Sequence, residues 1–443
     1  MAVIVAPAWA LIHCILAQAV TVTAADRTEL RTRVQGSVLR FDAETRPAVR
    51  LALTSPRTSY SFGYIPTATA LSIGTEEVDL IFQHAADANA QFRWEHTTFT
   101  VSQGASYGTR NFRALSVAAP TPTTPPVGGT TPPGGTTPPG GTTPPGGTTP
   151  PGGTTPPGGM TPPAPPPGQT GPLTAAQFQL IDENVTLAAS LSRATVQQRF
   201  SARTFGMVSA AYEYGGGIGA RSEEFLPIRR GPSATVSLRH RTSPADEFAT
   251  IANGTSLETG STMRVQIVDL GEEWSHRWAP ALVSSLLVGV AAARAESDRF
   301  PQRRTSALVP IATASVGYGF GLAGGHLLTT SFLQFAPIVD RFTGDFDQRL
   351  QWVFNANWTR YRLSLLGNFS GAQSVLPRIV FSNPNMLPFN YYFASASVLY
   401  RFTRELSGET GLRAAWVRSD GDPFPILWSV FVAGSYTLSA TYL

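Results

Sequence analysis

The sequence predicts an all-β fold, a transmembrane antiparallel β-barrel of about 18 strands, with 16 as the other even count it allows. Three observations predict it. Only 14% of residues are charged against 42% hydrophobic, yet no run reaches the roughly 18 unbroken apolar residues of a transmembrane helix. Segment after segment alternates apolar and polar residues with a period of two, as a strand with one greasy and one polar face does. Aromatic residues gather near the segment ends, Trp274 with Trp278, Trp358 with Tyr361, Tyr391 with Tyr392, and Trp428, in the manner of interfacial girdles.

Residues 1–25 read as a secretory signal peptide. An apolar stretch (Ala8 to Ile12, then Ile15 and Leu16) is followed by small-residue cleavage sites at Ala17-Gln18-Ala19 and Thr23-Ala24-Ala25, although no Arg precedes the apolar core. The single cysteine, Cys14, lies inside this segment, and His13 before it is a poor match to a lipidation box. Cleavage after Ala19 leaves a chain without cysteine, hence without disulfides or thiolate metal sites.

Residues 26–118 hold the first part of the barrel, about five strands: 30–40, 46–54, 58–67, 76–84 and 89–103. Residues 119–172 form an insert dominated by Thr-Thr-Pro-Pro-Gly-Gly, repeated about five times between Thr130 and Gly159. Such a segment cannot bury a core and predicts a solvated, disordered loop. The patterns on either side of it are alike, so it reads as an external loop of one barrel, not a linker between domains.

Residues 173–443 supply about 13 further strands: 183–192, 200–214, 233–241, 246–253, 262–276, 281–297, 310–322, 327–337, 349–358, 361–371, 390–402, 407–418 and 428–441. The alternation is clearest late in the chain. Ala312, Ala314, Val316, Tyr318, Phe320 and Leu322 interleave with Thr313, Ser315 and glycines, and Leu350, Trp352, Phe354, Ala356 and Trp358 with mostly polar partners. Leu363, Leu365, Gly367 and Phe369 continue the pattern, as do Val430, Val432, Tyr436 and Leu438 in the last strand. Short connections at 55–57, 277–280, 324–325 and 403–406 alternate with longer ones at 215–232, 298–309, 338–348 and 372–389, which places both chain ends in the periplasm. The final strand resembles a signal for the barrel-assembly machinery, with Tyr442 one residue short of the end.

Several chemistries find no residues. There is no Gly-Lys-Ser/Thr loop, since all 33 basic residues are arginine, and no His-Glu-x-x-His or cysteine cluster. No cofactor and no catalytic site are expected, and a formal charge of +4 is too small over 443 residues to argue for nucleic acid. Asp340, Asp345 and Asp347 have the oxygen ligands for Ca²⁺ but read better as a solvated loop, so no metal site is assigned. Loop residues Arg221, Glu223, Glu224, Arg229 and Arg230 read as ordinary loop charge or as contacts to a translocated chain or lipopolysaccharide.

The polar faces are more informative. Arg50, Arg93, Arg239, Arg241, Arg264, Arg362, Arg401 and Arg413 fall opposite the apolar stripe and are the candidates for lining the lumen. Unpaired, they suit anionic or neutral polar solutes; paired with Glu77, Asp79, Glu95 and Glu213, they form lumen salt bridges. Both readings stand on the sequence.

Leu226-Pro227-Ile228-Arg229-Arg230-Gly231-Pro232, Glu272-Glu273-Trp274-Ser275-His276-Arg277 and Pro337-Ile338-Val339-Asp340-Arg341-Phe342-Thr343-Gly344 resemble segments of myxobacterial outer-membrane barrels. They are similar to the barrel component of Wzx/Wzy-type polysaccharide export systems. The resemblance covers the chain except its insert and brings no catalytic residues. It implies an outer-membrane conduit of about 18 strands for a polysaccharide chain, working with a periplasmic polysaccharide-export protein. The other readings are a general porin or uptake channel for small polar or anionic solutes, and a structural or adhesive surface barrel. All of them place the chain among outer-membrane lipid.

Overall fold

The computed structural model describes residues 19–35, 38–72, 78–111, 184–260, 263–297, 304–339, 346–375, 390–418 and 426–442. Nineteen strand segments form one sheet. They are β1 (Ala19–Gln35), β2 (Val38–Thr45), β3 (Ala48–Thr54), β4 (Thr58–Ser72), β5 (Val78–Arg93), β6 (Thr97–Asn111), β7 (Asn184–Arg199), β8 (Thr204–Gly217), β9 (Arg229–Arg241) and β10 (Asp246–Thr259). After them come β11 (Met263–Ala279), β12 (Leu282–Ser297), β13 (Arg304–Leu322), β14 (Gly325–Val339), β15 (Phe346–Arg360), β16 (Leu363–Ser374), β17 (Asn390–Arg401), β18 (Leu406–Arg418) and β19 (Leu427–Tyr442). One short helix, α1 (Ala220–Phe225), sits between β8 and β9.

These segments make 18 staves. β2 and β3 both pair with β1 on one side and β4 on the other, in a register that runs unbroken through Arg46-Pro47 (Thr28↔Thr45, then Ala25↔Ala48). Proline has no N–H to give the ladder, so the stave is interrupted there without changing course. Every other neighbour in sequence is a neighbour in the sheet, and β1 closes on β19 from Val20↔Tyr442 to Val34↔Trp428. Closure pairs the last free edges, the condition for a sheet to cross lipid.

Alternation assigns the two faces. On β1, Val22, Leu30 and Val34 are exposed, while Glu29, Arg31 and Arg33 are buried. The same division runs round the ring, with Phe62, Leu80, Phe82, Val208, Val236, Val268, Leu270, Val288, Leu308, Val430 and Val432 open on the outward face. Aromatic side chains flank this apolar belt. At one rim Trp274, His276 and Trp278 cluster, with ring centroids 4.3 to 6.3 Å apart, and Tyr60 meets Phe92 at 5.8 Å. Towards the other rim, Tyr392 stacks on Trp416 at 5.2 Å and meets Trp352 at 5.8 Å. A closed barrel with an apolar waist between aromatic girdles is a transmembrane barrel.

The rim nearest Trp274 carries only connections of two to four residues, such as 55–57, 280–281, 323–324 and 402–405. Both β1 and β19 have their chain ends there. The opposite rim carries the long connections, including 218–228 and 375–389. β6 and β7 pair as far as Asn111↔Asn184, so the chain between them joins neighbouring staves of one sheet. The Thr-Thr-Pro-Pro-Gly-Gly repeat itself, like the Asp340–Asp345 loop, lies outside the described residues.

The early boundaries differ from those expected. The first stave spans Ala19–Gln35, and the expected strand 30–40 straddles the junction of β1 and β2, which pair with each other as far as Gln35↔Val38. Cleavage after Ala25 would therefore remove residues paired with both β3 and β19, whereas the Ala17-Gln18-Ala19 site spares nearly all of β1. A turn expected between 84 and 89 lies instead at 94–96. The cause is Ala85, Ala86, Asp87 and Ala88, small or polar residues that erase the apolar contrast in the middle of β5.

Candidate functional site

The inward face concentrates its charge at the closure seam. Glu29 on β1 receives Arg31 through Nε (3.0 Å) and Nη2 (2.6 Å), and Arg413 of β18 through Nη1 (2.7 Å) and Nη2 (3.2 Å). Arg27 completes the set, 3.3 Å from Glu29 and 2.8 Å from Glu409. On the β2 side, Arg33 donates to Asp42 at 2.7 Å, while Glu44 stands 3.9 Å from Arg31 and contacts Arg46. β19, which lies between β1 and β18, makes this possible by turning Ser429, Phe431 and Ala433 inward. The Arg413 guanidinium lies 3.9 Å over the Phe431 ring, an added cation–π contact.

A second ladder runs along β8–β11. Arg239 bridges Glu247 (3.2 Å) and Glu273 (3.0 Å), Arg241 stands 3.7 Å from Glu247, and Arg229 donates to Glu213 at 2.6 Å. Between them, Thr235 donates to Asn253 and Asn253 to Asp269, both at 2.7 Å. Midway along β14–β16 the polar face carries neutral amides: Asn368 donates to Asn355 at 2.6 Å, and Asn355 to Thr330 at 3.3 Å.

One stretch of wall is aliphatic. Ala249, Ile251, Leu287, Ala291, Val309 and Ile311 pack into one buried cluster, and Leu257, Val265, Ala293 and Ala295 into another. All are on the inward face of β10–β13. β11 lies nine staves from β1 whichever way the ring is followed, so this apolar wall faces the charged seam across the lumen. At the long-loop rim the α1 loop folds inward over β7 and β8: Gly217 donates to the Leu226 carbonyl at 2.8 Å, and a Cβ on Gly217 would fall 2.1 Å from the Ser222 carbonyl oxygen.

The eight candidate arginines separate by position. Arg413 and Arg239 sit in the two ladders, and Arg241 ends the second one. Arg50 faces Asp87 at 3.7 Å over Gly63, whose missing side chain leaves room for that carboxylate. Arg93 and Arg401 end their strands on the inward face at the short-loop rim, Arg93 holding Gln91 at 2.6 Å. Arg362 is not in the wall. It belongs to a two-residue turn and donates to the Phe402 carbonyl of the adjacent turn at 3.0 Å.

Arg264 is on the outside, where it pairs with Glu258 at 2.9 Å among exposed residues. The sequence hides this, because Val265 and Ile267, its inward neighbours on β11, belong to the aliphatic wall and imitate a lipid-facing stripe. The ion-pair partners also differ from those expected. Of the four, Glu213 serves in a ladder, with Arg229, while Glu95 is exposed beside His96 and Glu77 lies outside the described residues. The seam residues Arg27, Glu29, Arg31, Arg33, Asp42 and Glu44 were missed, although charge at every second position, interleaved with Leu30, Thr32 and Val34, marks them.

No family pattern and no curated protein matches the sequence. Similar solved structures include outer membrane protein OpdK from Pseudomonas aeruginosa, at 8% identity, covering 95% of this chain and 99% of that chain, with a TM-score of 0.44. Acinetobacter baumannii OccAB2 is 8% identical over 95% of this chain and 98% of that chain, with a TM-score of 0.43. Pseudomonas aeruginosa OccK3 is 11% identical over 95% and 96%, with a TM-score of 0.40. At such identities and scores the likeness adds nothing to the barrel that the strand pairing already establishes.

Proposed function

We propose that the chain is an outer-membrane channel for the passage of small polar and anionic solutes. The observation that carries this reading is the division of the lumen, with an ion-paired seam on β18–β2 facing an aliphatic wall on β10–β13. A small polar or anionic solute passing through this lumen meets inward guanidiniums that stay accessible, those of Arg27, Arg50 and Arg241. A hydrated sugar polymer gains no hydrogen bonds from that aliphatic wall, so polysaccharide export, with its periplasmic export partner, rests only on the resemblance of three short segments. Loop lengths and the shared rim of both chain ends favour the short-loop rim as periplasmic. A signal peptide ending at Ala19 accords with this, and the mature chain is expected to begin within residues 18–20 by mass spectrometry.

Purified full-length protein in a planar bilayer under a salt gradient is expected to give discrete conductance steps with anion preference. Neutralising Arg239 and Arg241 to glutamine should shift the reversal potential towards cations, whereas Glu272→Gln on the outward face should not. A protein that inserts but never conducts would overturn the channel reading. Loss of one extracellular polysaccharide in a deletion strain would restore the export reading.

A further inference from the structure

The outward face carries an ion-pair row that neither the lumen nor the apolar belt accounts for. Arg230 of β9, Glu258 of β10, Arg264 of β11 and Glu296 of β12 each stand one residue in from the long-loop end of their strands. They are directly opposite one another in register, Arg230↔Glu258↔Arg264↔Glu296. Glu258 lies 3.1 Å from Arg230 and 2.9 Å from Arg264, and Arg294 donates to Glu296 at 2.7 Å. The side chains of Arg230, Arg264 and Arg294 remain 57%, 53% and 41% exposed.

Their height is fixed by β11 itself. Trp274, on the same face of that strand, belongs to the aromatic girdle of the opposite rim, and ten residues separate it from Arg264. At about 3.4 Å per residue and a tilt of about 40°, that separation is about 26 Å along the membrane normal, the height of a barrel's apolar belt. Val268, Val290 and Leu308 fill the belt directly below the row. The row therefore stands where lipid headgroups begin.

We propose that Arg230, Arg264 and Arg294 dock the phosphorylated headgroup of a lipid in the leaflet at the long-loop rim, the external leaflet under the orientation proposed above. Among the described residues Arg230 gives Glu258 its Nε alone and Arg264 a single Nη2, so each keeps outward N–H groups to present as a fork to phosphate oxygens. The shared carboxylate holds the two guanidiniums in place before the lipid arrives. Only three residues, 260–262, separate β10 from β11 in sequence, and the three guanidiniums stay accessible.

The test is binding of lipid A, a bisphosphorylated glycolipid, to delipidated full-length protein in neutral detergent, read by native mass spectrometry. The Arg230→Gln/Arg264→Gln double variant is expected to bind it at least about tenfold more weakly than the parent. Arg404→Gln in a short-rim turn should bind like the parent, and equimolar inorganic phosphate should not compete. Equal binding by the double variant, or displacement by inorganic phosphate, overturns the proposal. Conductance is measured on the same samples, so a failed channel reading is distinguishable from a failed lipid site.

Discussion

Glu29→Ala is expected to destabilise the barrel by about 3–5 kcal/mol, the cost of leaving buried cations without their counter-charge. Glu29 is 5% exposed, and its two oxygens serve Arg31 and Arg413, with Arg27 beside them. Arg31 and Arg413 retain only 3% and 10% of their side-chain exposure, so neither can turn to water when the carboxylate is removed. The contact also spans the closure seam, tying β1 to β18 past β19. Urea unfolding in detergent, followed by tryptophan fluorescence and by the gel shift of the folded barrel, measures the loss. Glu258→Ala on the exposed outer row supplies the comparison, with an expected cost of at most about 1 kcal/mol. A Glu29→Ala midpoint equal to that of Glu258→Ala would sink this account. Because the penalty is for an unbalanced charge, Glu29→Leu combined with Arg413→Leu should recover part of it.

Gly108→Ala is the second large effect, and its origin is steric. Gly108 on β6 has φ +144°, a region that L side chains rarely adopt. A Cβ there would fall 2.3 Å from the Phe82 carbonyl oxygen and 2.5 Å from the Gln83 Cα, both backbone atoms of β5. The strands must part at the Gln83↔Gly108 pair, at a cost of about 2–4 kcal/mol in strain and lost ladder bonding. Gly104, four residues away on the same face of the same strand, has open space where a Cβ would go. Gly104→Ala should therefore change stability by no more than about 0.5 kcal/mol. Equal unfolding midpoints for the two alanine variants would refute the steric assignment.

Where apolar and polar residues fall on opposite faces, the sequence alone tells the architecture. β13, β15, β16 and β19 have the faces expected of Val316, Trp352, Leu365 and Val430, and the stave count of 18 follows from such segments and the alternation of connection lengths. The pattern fails where both faces have the same character. On β11, Val265 and Ile267 point inward while Val268 and Leu270 point outward, so nothing in the apolar spacing says on which side Arg264 lies. At the start of the chain the contrast is hidden differently, because Val20, Val22 and Ala24 continue a leader-like run into β1. The charged seam is then obscured twice, by a misplaced first strand and by Pro47, which reads as a strand boundary although the register crosses it.

The pairing of Val20 with Tyr442 joins positions from opposite ends of the chain. Such a contact is made last and slowly, since the first stave must wait for the final one to be synthesised. Until then both edges of the sheet stay unpaired and open to any other strand. The β1–β2 hairpin already supplies Asp42 and Glu44 to the arginines of β1, so the waiting edge carries its own partial neutralisation. Arg413 arrives with the closing staves and finds Glu29 in place, making the seam both the latch of the finished ring and a check that the right edge has been joined.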